Sequence, residues 1–427
     1  MTIKKYLLPY QLIKKQENKI VKQEELIKVI TPYLAELEIY KIKEGSDIEV
    51  ELSEVKLNNN KILKKYKLTS GFYSGINNKF PGSGFIDFNN QDIFILSSRG
   101  LLAFREESAG DTSNFKLIKN NIHNYIDLKQ FKKSYKISLK DLLISNGKIY
   151  ISYNEEVQKN CWNTSVLSGN LDYKEIEFKK LFSPKECVHR LKNLDSEFEM
   201  HQSGGRIVAL DNNNLLLTIG DYRSRHLAQN KKSINGKIIK LNINNKTHKI
   251  LSMGHRNPQG LYYDNKKNFL LSTEHGPMGG DEINMIKIND KSINKIPNYG
   301  WAIASEGEHY GGISEKRNQK KYKKYPLYNS HEKHGFIEPL KSFTPSIGIS
   351  EIAKIKENHF VVSSLKDKSL YFFRLNNTNK IYDLVSYPVF ERIRDLKIKD
   401  NKLFLFMEDT ASIGVINLID NSTKSDI

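Results

Sequence analysis

The sequence predicts an all-β fold, a six-bladed β-propeller with four-stranded blades, preceded by a short helical or extended N-terminal appendage. Three observations carry this. From about Leu68 onward the chain consists of short alternating or apolar runs punctuated by Gly, Asn, Asp and Pro, which is strand chemistry separated by turns. Those runs fall into about six groups of three or four at roughly fifty-residue spacing, the period of a radially repeated sheet. And at 427 residues the chain exceeds the size at which one core stops growing, so it needs two domains or a modular, repeat-built architecture. A large β-sandwich ranks lower because the four-strand grouping recurs so regularly.

Taken in order, residues Gln11 to Leu37 read as a charged helix, with Leu12, Ile13, Ile20, Leu26, Ile27, Val29 and Ile30 forming an imperfect apolar stripe. This stretch belongs to an appendage over residues 1–65, and the propeller is expected over residues 66–427. The first group of strands is Gly84–Phe88, Asp92–Ser97 and Leu101–Arg105. The second is Leu142–Ser145, Lys148–Tyr153, Ser165–Asn170 and Lys174–Phe178. The third is Arg206–Leu210, Leu215–Ile219, Lys237–Asn242 and Lys249–Met253, and the fourth Gly260–Tyr263, Phe269–Glu274, Glu282–Ile286 and Tyr299–Ile303. The fifth comprises Gly348–Ile355, His359–Ser364, Ser369–Leu375 and Tyr382–Pro388, and the last Ile393–Ile398, Leu403–Met407 and Ser412–Leu418. Between Ser305 and Lys341 the pattern lapses into a polar segment rich in Gly, Lys and Tyr. It is too long for a turn and is expected to form a loop on the rim of the ligand face.

The formal net charge of +18 admits nucleic acid, anionic membranes or acidic ligands as partners. Its distribution argues against the first two: lysines occur in short clusters such as Lys14-Lys15, Lys64-Lys65 and Lys320-Lys321, mixed with Asn, with no single basic arm or helix face. Only Cys161 and Cys187 are present, which excludes a disulfide framework and a Cys-rich zinc site. One bridge and two buried thiols are both open. The N-terminal apolar run is broken by Pro9, Gln11 and Lys14, so no export signal is visible, and no segment approaches the apolar length of a membrane-spanning helix.

Four separated segments carry chemistry. His201-Gln202-Ser203-Gly204-Gly205-Arg206 places an imidazole beside glycines that let backbone approach a ligand, which suits a general base. Gly254-His255-Arg256-Asn257-Pro258-Gln259-Gly260 sets polar groups at a strand end. The run from Glu274 through His275, Gly276, Pro277, Met278, Gly279, Gly280 and Asp281 to Asn284 makes a tight turn able to aim carbonyls at a hard cation such as calcium, and Asn298 to Trp301 closes the region. Lys366 follows a strand. Arg392 and Arg394 stand on alternate residues of the next group, so both address one ligand, an arrangement that suits a polycarboxylate.

The run from His201 to Trp301, with Lys366, Arg392 and Arg394 downstream, resembles the soluble glucose dehydrogenases that depend on pyrroloquinoline quinone (PQQ) and their aldose dehydrogenase relatives, the glucose/sorbosone dehydrogenases. The resemblance covers about Leu142 to Leu418. It implies oxidation of a sugar or related alcohol, with PQQ and calcium as cofactors and an external electron acceptor as partner. By position, it implies that His201 is the base that takes the proton of the anomeric hydroxyl while hydride passes to PQQ, and that Asp281 lies near substrate and base. Arg256, Asn257, Lys366, Arg392 and Arg394 are implied to contact PQQ, and the backbone carbonyls of Gly276 and Pro277 to bind calcium. It also implies a periplasmic or secreted location. The independent chemistry agrees: PQQ carries three carboxylates and an electrophilic quinone, so cations should ring it. In Tyr135 to Leu143 this chain lacks the glutamine and glycines that the family usually shows there. Competing readings are a divergent or non-catalytic ligand-binding propeller and a calcium-dependent, lactonase-like hydrolase, since fold does not fix chemistry. Lys366, Arg392 and Arg394 favour quinone binding over the hydrolase, which has no evident need for them.

Overall fold

A computed structural model of the chain describes residues 47–68, 83–109, 114–126, 138–288 and 295–418, together with residues 12, 14–23 and 26. It is a six-bladed β-propeller. From the axis outward, blade 1 is built by Gly84–Asn89, Asp92–Ser97, Leu102–Arg105 and Lys116–Leu117, and blade 2 by Leu139–Ser145, Lys148–Gln158, Cys161–Asn170 and Lys179–Phe182. Blade 3 is Gly204–Asp211, Asn214–Ile219, Lys237–Asn242 and His248–Met253, and blade 4 is Pro258–Asp264, Phe269–Glu274, Asp281–Lys287 and Lys341–Phe343. Blade 5 is Ile349–Lys356, His359–Ser364, Ser369–Leu375 and Ile381–Pro388, and blade 6 begins Ile393–Lys399, Lys402–Met407 and Ser412–Asn417. The innermost strands touch one another in a closed ring, blade 6 against blade 1 included.

The chain closes on itself through its N-terminal part. Ile62–Leu68 pairs antiparallel with Ser412–Asn417, Leu63 opposite Ile416 and Tyr66 opposite Ile413, and Val50–Lys56 adds a further strand outside it. The expected boundary between appendage and propeller at residues 65 and 66 therefore falls inside a strand, and the sheet reaches back to Val50. Val50–Lys56 is exposed along almost its whole length, so it lacks the alternation that marks a half-buried strand. The helix expected over Gln11–Leu37 is seen at residues 12, 14–23 and 26; the rest lies outside the described residues.

Two other expected strands sit elsewhere. The fourth strand of blade 4 is Lys341–Phe343, paired with Asp281–Ile283, not Tyr299–Ile303. The apolar character of Tyr299–Ile303 reflects burial in a turn, where Trp301 and Ala302 pack with Ala228, Tyr325 and Leu327. In blade 2 the outer strand is Lys179–Phe182, and of Lys174–Phe178 only Glu175–Ile176 pairs, with Lys119–Asn120. Cys161, at the start of a blade 2 strand, is disulfide-bonded to Cys187.

The core lies between blades. Leu370 and Phe372 of blade 5 pack with Leu396, Leu403 and Leu405 of blade 6, and Phe269 and Leu271 of blade 4 with Phe360 and Val362 of blade 5. Each sheet buries both faces against neighbours, which explains the nearly continuous apolar runs of its middle strands. Along the axis the contacts are charged instead. Arg206 Nη1 lies 2.9 Å from Asp141, 2.9 Å from Glu351 and 2.8 Å from Asp395, all four side chains being almost inaccessible. The acids also stitch blades together: Asp395 accepts from the Ile86 amide at 2.7 Å, Asp87 from Ile144 at 2.6 Å, Asp141 from Ile207 at 2.7 Å and Glu351 from Leu261 at 3.0 Å. Blades 2 to 6 each carry a register break near the start of the innermost strand. Such bulges re-aim side chains, and here they bring Lys140, Gly204, Arg206, Gln259 and Arg394 to one small axial opening.

Candidate active site at the axial mouth

Arg392 and Arg394 project from one face at the start of blade 6, as their alternate spacing predicts. Glu408, after the next strand, grips both: Arg392 Nε donates to one of its oxygens at 3.0 Å and Arg394 Nε to the other at 2.6 Å. Ser83 adds a hydrogen bond at 2.9 Å. Burial pushes the Glu408 carboxyl up, but the two guanidiniums outweigh it and hold it below its ordinary range. Two cations share this carboxylate, and Asp409 accepts from the Arg392 amide at 3.2 Å. Arg394 Nη1 reaches Gln259 Oε1 at 3.3 Å, Gln259 Nε2 donates to Asn257 Oδ1 at 3.0 Å, and the same oxygen accepts from the Gly204 amide at 3.1 Å. One polar chain thus links Arg392, Arg394 and Asn257 across blades 6, 4 and 3.

Arg256 is buried, with its guanidinium 5.3 Å from the Trp301 ring centre and Nη1 donating to the His275 carbonyl at 2.9 Å. With its amide oriented to satisfy its neighbours, Gln202 accepts from Arg256 Nη2 at 2.8 Å and donates to Asp221 at 3.1 Å. Asp221 also accepts from the Trp301 indole at 2.7 Å. Gln202 follows His201, so the segment bearing the imidazole is tied to the Arg256 side of the site. His201 itself is 36% exposed, with Nδ1 3.6 Å from Glu199 Oε1. The imidazole thus lies beside a carboxylate, with its Nε2 closed to solvent.

Beside these groups lies an open cavity of about 600 Å³, lined among others by Gly276, Pro277, Asp281 and Lys366. Glu306, Glu308 and Tyr310 line it from the segment expected to form the rim loop. That loop is anchored back to the His201 side, where Tyr325 Oη donates to Asp195 at 2.7 Å and Lys324 Nζ lies 2.9 Å from it. Asp281, expected near substrate and base, lines this cavity and also holds the backbone below it. Its carboxylate is buried and accepts from three amides, Gly276 at 3.0 Å, Gly348 at 2.6 Å and Ile349 at 3.0 Å, so it fixes the turn beneath the cavity. His275 also lines the cavity; burial pulls its imidazole down to about 4, so it is neutral at pH 7, and among the described residues its buried Nε2 has no hydrogen-bond partner. A second cavity of about 320 Å³, lined by Tyr66, Phe88, Arg105 and Phe404 among others, contains none of the expected site residues.

Sequence reasoning did not single out Glu408, Gln259 or Lys140. Gln259 stands inside a quoted motif, so its signal was present. Glu408 carries no local signal, because only the hairpin Ile393–Met407 brings it beside the arginines.

The sequence profile of the glucose/sorbosone dehydrogenase family matches residues 136–416. An uncharacterized protein of Synechocystis sp. is 28% identical over 224 residues, 45% of this chain and 50% of that protein. The chain thus spans about half the length of that relative. The aldose sugar dehydrogenase YliI of Escherichia coli is 25% identical over 286 residues, 62% of this chain and 71% of that one. In three dimensions the chain is similar to the apo crystal structure of the soluble aldose sugar dehydrogenase of Escherichia coli, with a TM-score of 0.58 and 22% identity over 78% of this chain and 94% of that one. This last likeness speaks to the fold. Since the profile spans the inner strands of blades 2 to 6 and takes in His201, Lys366, Arg392 and Arg394, the chain belongs to the glucose/sorbosone dehydrogenase family.

Proposed function

We propose that this protein oxidises an aldose or a related alcohol with PQQ as the electron-accepting cofactor and calcium as its metal. The observation that carries the reading is the preorganised cation set: Arg392 and Arg394 clamped on Glu408 and joined through Gln259 to Asn257. The chain's residues fit the cofactor. A polycarboxylate needs several oriented cations, and Arg–carboxylate bonds are the strong, directional kind. His275 Nε2, without a hydrogen-bond partner among the described residues, and the adjoining cavity leave polar capacity for a bound molecule. For the metal, a hard cation is assigned to the neutral carbonyl oxygens of Gly276 and Pro277, which line the cavity in the turn braced by Asp281.

When bound, PQQ supplies the two-electron acceptor that no side chain provides. The rest falls to the chain. Arg392, Arg394, Lys366, Arg256 and Asn257 bind and orient the cofactor, and Asp281 is assigned to positioning through the turn. His201 accepts the hydroxyl proton of the sugar, with Glu199 oriented to stabilise the resulting imidazolium. Electrons leave to an external acceptor. A location outside the cytoplasm is supported by the Cys161–Cys187 disulfide, and no helix among the described residues is long and apolar enough to cross a membrane.

The test is reconstitution of purified protein with PQQ and calcium, followed by dye reduction with a panel of aldoses. Turnover with at least one aldose, abolished in His201→Ala while PQQ binding persists, is expected. Equal turnover in His201→Ala removes the base assignment.

A further inference from the structure

Lys140 is the residue left over in the register break of blade 2, where Leu139 pairs with Tyr153 and Asp141 with Ser152. The base of its side chain is pressed against blade 3 at Gly205, which has φ +118° and at which a Cβ would collide with that of Lys140. Glycine at 205 is thus what allows the lysine to pass. While Asp141 turns inward to Arg206, Lys140 lines the axial mouth with Gly204, Gln259 and Arg394. The charged groups around its amine come from three sides: Arg394 and Glu408 from blade 6, Arg206 from blade 3, and Glu199 from the segment that carries His201. Among the described residues none of these acids is in ion-pair contact with it, since Glu408 is occupied by the two arginines and Glu199 stands beside His201. A half-buried amine held in the gap between the base and the arginines has the chemistry to meet an anionic oxygen of a ligand.

We propose that Lys140 is a further contact of this site, its amine binding an anionic oxygen of the bound quinone cofactor between Arg394 and the His201–Glu199 pair. This rests on the PQQ reading above. Burial, with the repulsion of Arg394 and Arg206 added, pulls the amine down to about 7 against the opposing pull of Glu199 and Glu408. At about pH 8 roughly nine-tenths of such amines are neutral, so meeting an anion requires taking up a proton. A lysine with only a packing role takes up none.

The experiment is calorimetric titration of PQQ into calcium-loaded protein at about pH 8, in buffers of different ionisation enthalpy, for the wild type, Lys140→Met and Lys140→Arg. The wild type is expected to take up close to one proton more than Lys140→Met and to bind about 10- to 100-fold more tightly, the range for a charge-assisted hydrogen bond. Lys140→Arg, permanently charged, should recover most of the affinity without the uptake. Lys140→Met with unchanged melting temperature, equal affinity and equal proton uptake overturns the proposal and leaves the PQQ reading standing. A wild-type protein that binds no PQQ overturns both.

Discussion

Arg206 joins the stability of the propeller to the geometry of its site, and replacing it with Met tests that connection. Its guanidinium meets Asp141, Glu351 and Asp395 at 2.8 to 2.9 Å in a region almost closed to solvent, and its Nη2 donates to the Arg394 carbonyl at 2.9 Å. Each ion pair is worth about 4 kcal/mol of attraction at an effective dielectric of 20. Desolvation and repulsion among the three acids offset much of the sum, and removing one partner of a buried pair typically costs about 3–5 kcal/mol. The loss depends on pH. Burial raises the Asp141 and Glu351 carboxyls, Glu351 to about 7, and Arg206, with Lys397 as the weaker second cation, lowers both. Without it they hold protons at still higher pH in the folded state, while the unfolded chain releases them near ordinary carboxyl values. Stability of Arg206→Met relative to wild type therefore falls as pH rises. Urea unfolding at about pH 5 and about pH 8 should show a penalty near 3–5 kcal/mol at the higher pH and a smaller one at the lower. A penalty under about 1 kcal/mol, or one independent of pH, refutes the assignment of Arg206 as the axial counterion.

Glu408→Gln leaves Arg392 and Arg394 one neutral acceptor oxygen in place of a shared carboxylate; PQQ affinity should fall about tenfold by calorimetry as the guanidiniums lose their fixed orientation, and unchanged affinity counts against preorganisation. His255 is fully buried, stacked on Tyr299 at 5.0 Å, and burial depresses it to about 3, so its stability contribution is complete above its unfolded value near 6.5 and is lost as pH falls toward 3. The stability gap between wild type and His255→Gln should accordingly narrow by about 2 kcal/mol between roughly pH 7 and pH 5, read by urea unfolding, and a constant gap contradicts the burial argument. Replacing Cys161 and Cys187 together with Ser opens a link of 26 residues in sequence separation, for which chain entropy predicts a loss of about 3–4 kcal/mol in urea unfolding relative to the disulfide-bonded wild type, and no comparable loss relative to the reduced wild type.

The strands that sequence patterning located well are the middle ones of each blade, where both faces are covered and apolar runs such as Phe269–Glu274 or His359–Ser364 are continuous. Outer strands were harder: Val50–Lys56 is solvent-facing and Lys341–Phe343 is three residues long after a long loop, so neither has a period to detect. Tyr299–Ile303 misled in the other direction, because an apolar turn buried under Tyr325 and Leu327 has the composition of a strand. At the site, residues in contiguous motifs were legible, Arg256 and Asn257 among them, and so was the shared face of Arg392 and Arg394. What links them was not. Glu408 and Lys140 come to the mouth through a hairpin and a bulge, which are consequences of pairing and register and leave no local trace in composition.

The most direct measurement of the central claim is a mixing experiment without dye: anaerobic addition of an aldose to the PQQ- and calcium-loaded protein, followed in the cofactor's visible absorption band. Dehydrogenation by this chain predicts a single-turnover spectral change with sugar in the wild type and none in His201→Ala carrying the same amount of PQQ. A protein that holds PQQ through Arg392, Arg394 and Lys366 yet shows no spectral change with any aldose or related alcohol contradicts it, leaving a binding propeller in place of a dehydrogenase.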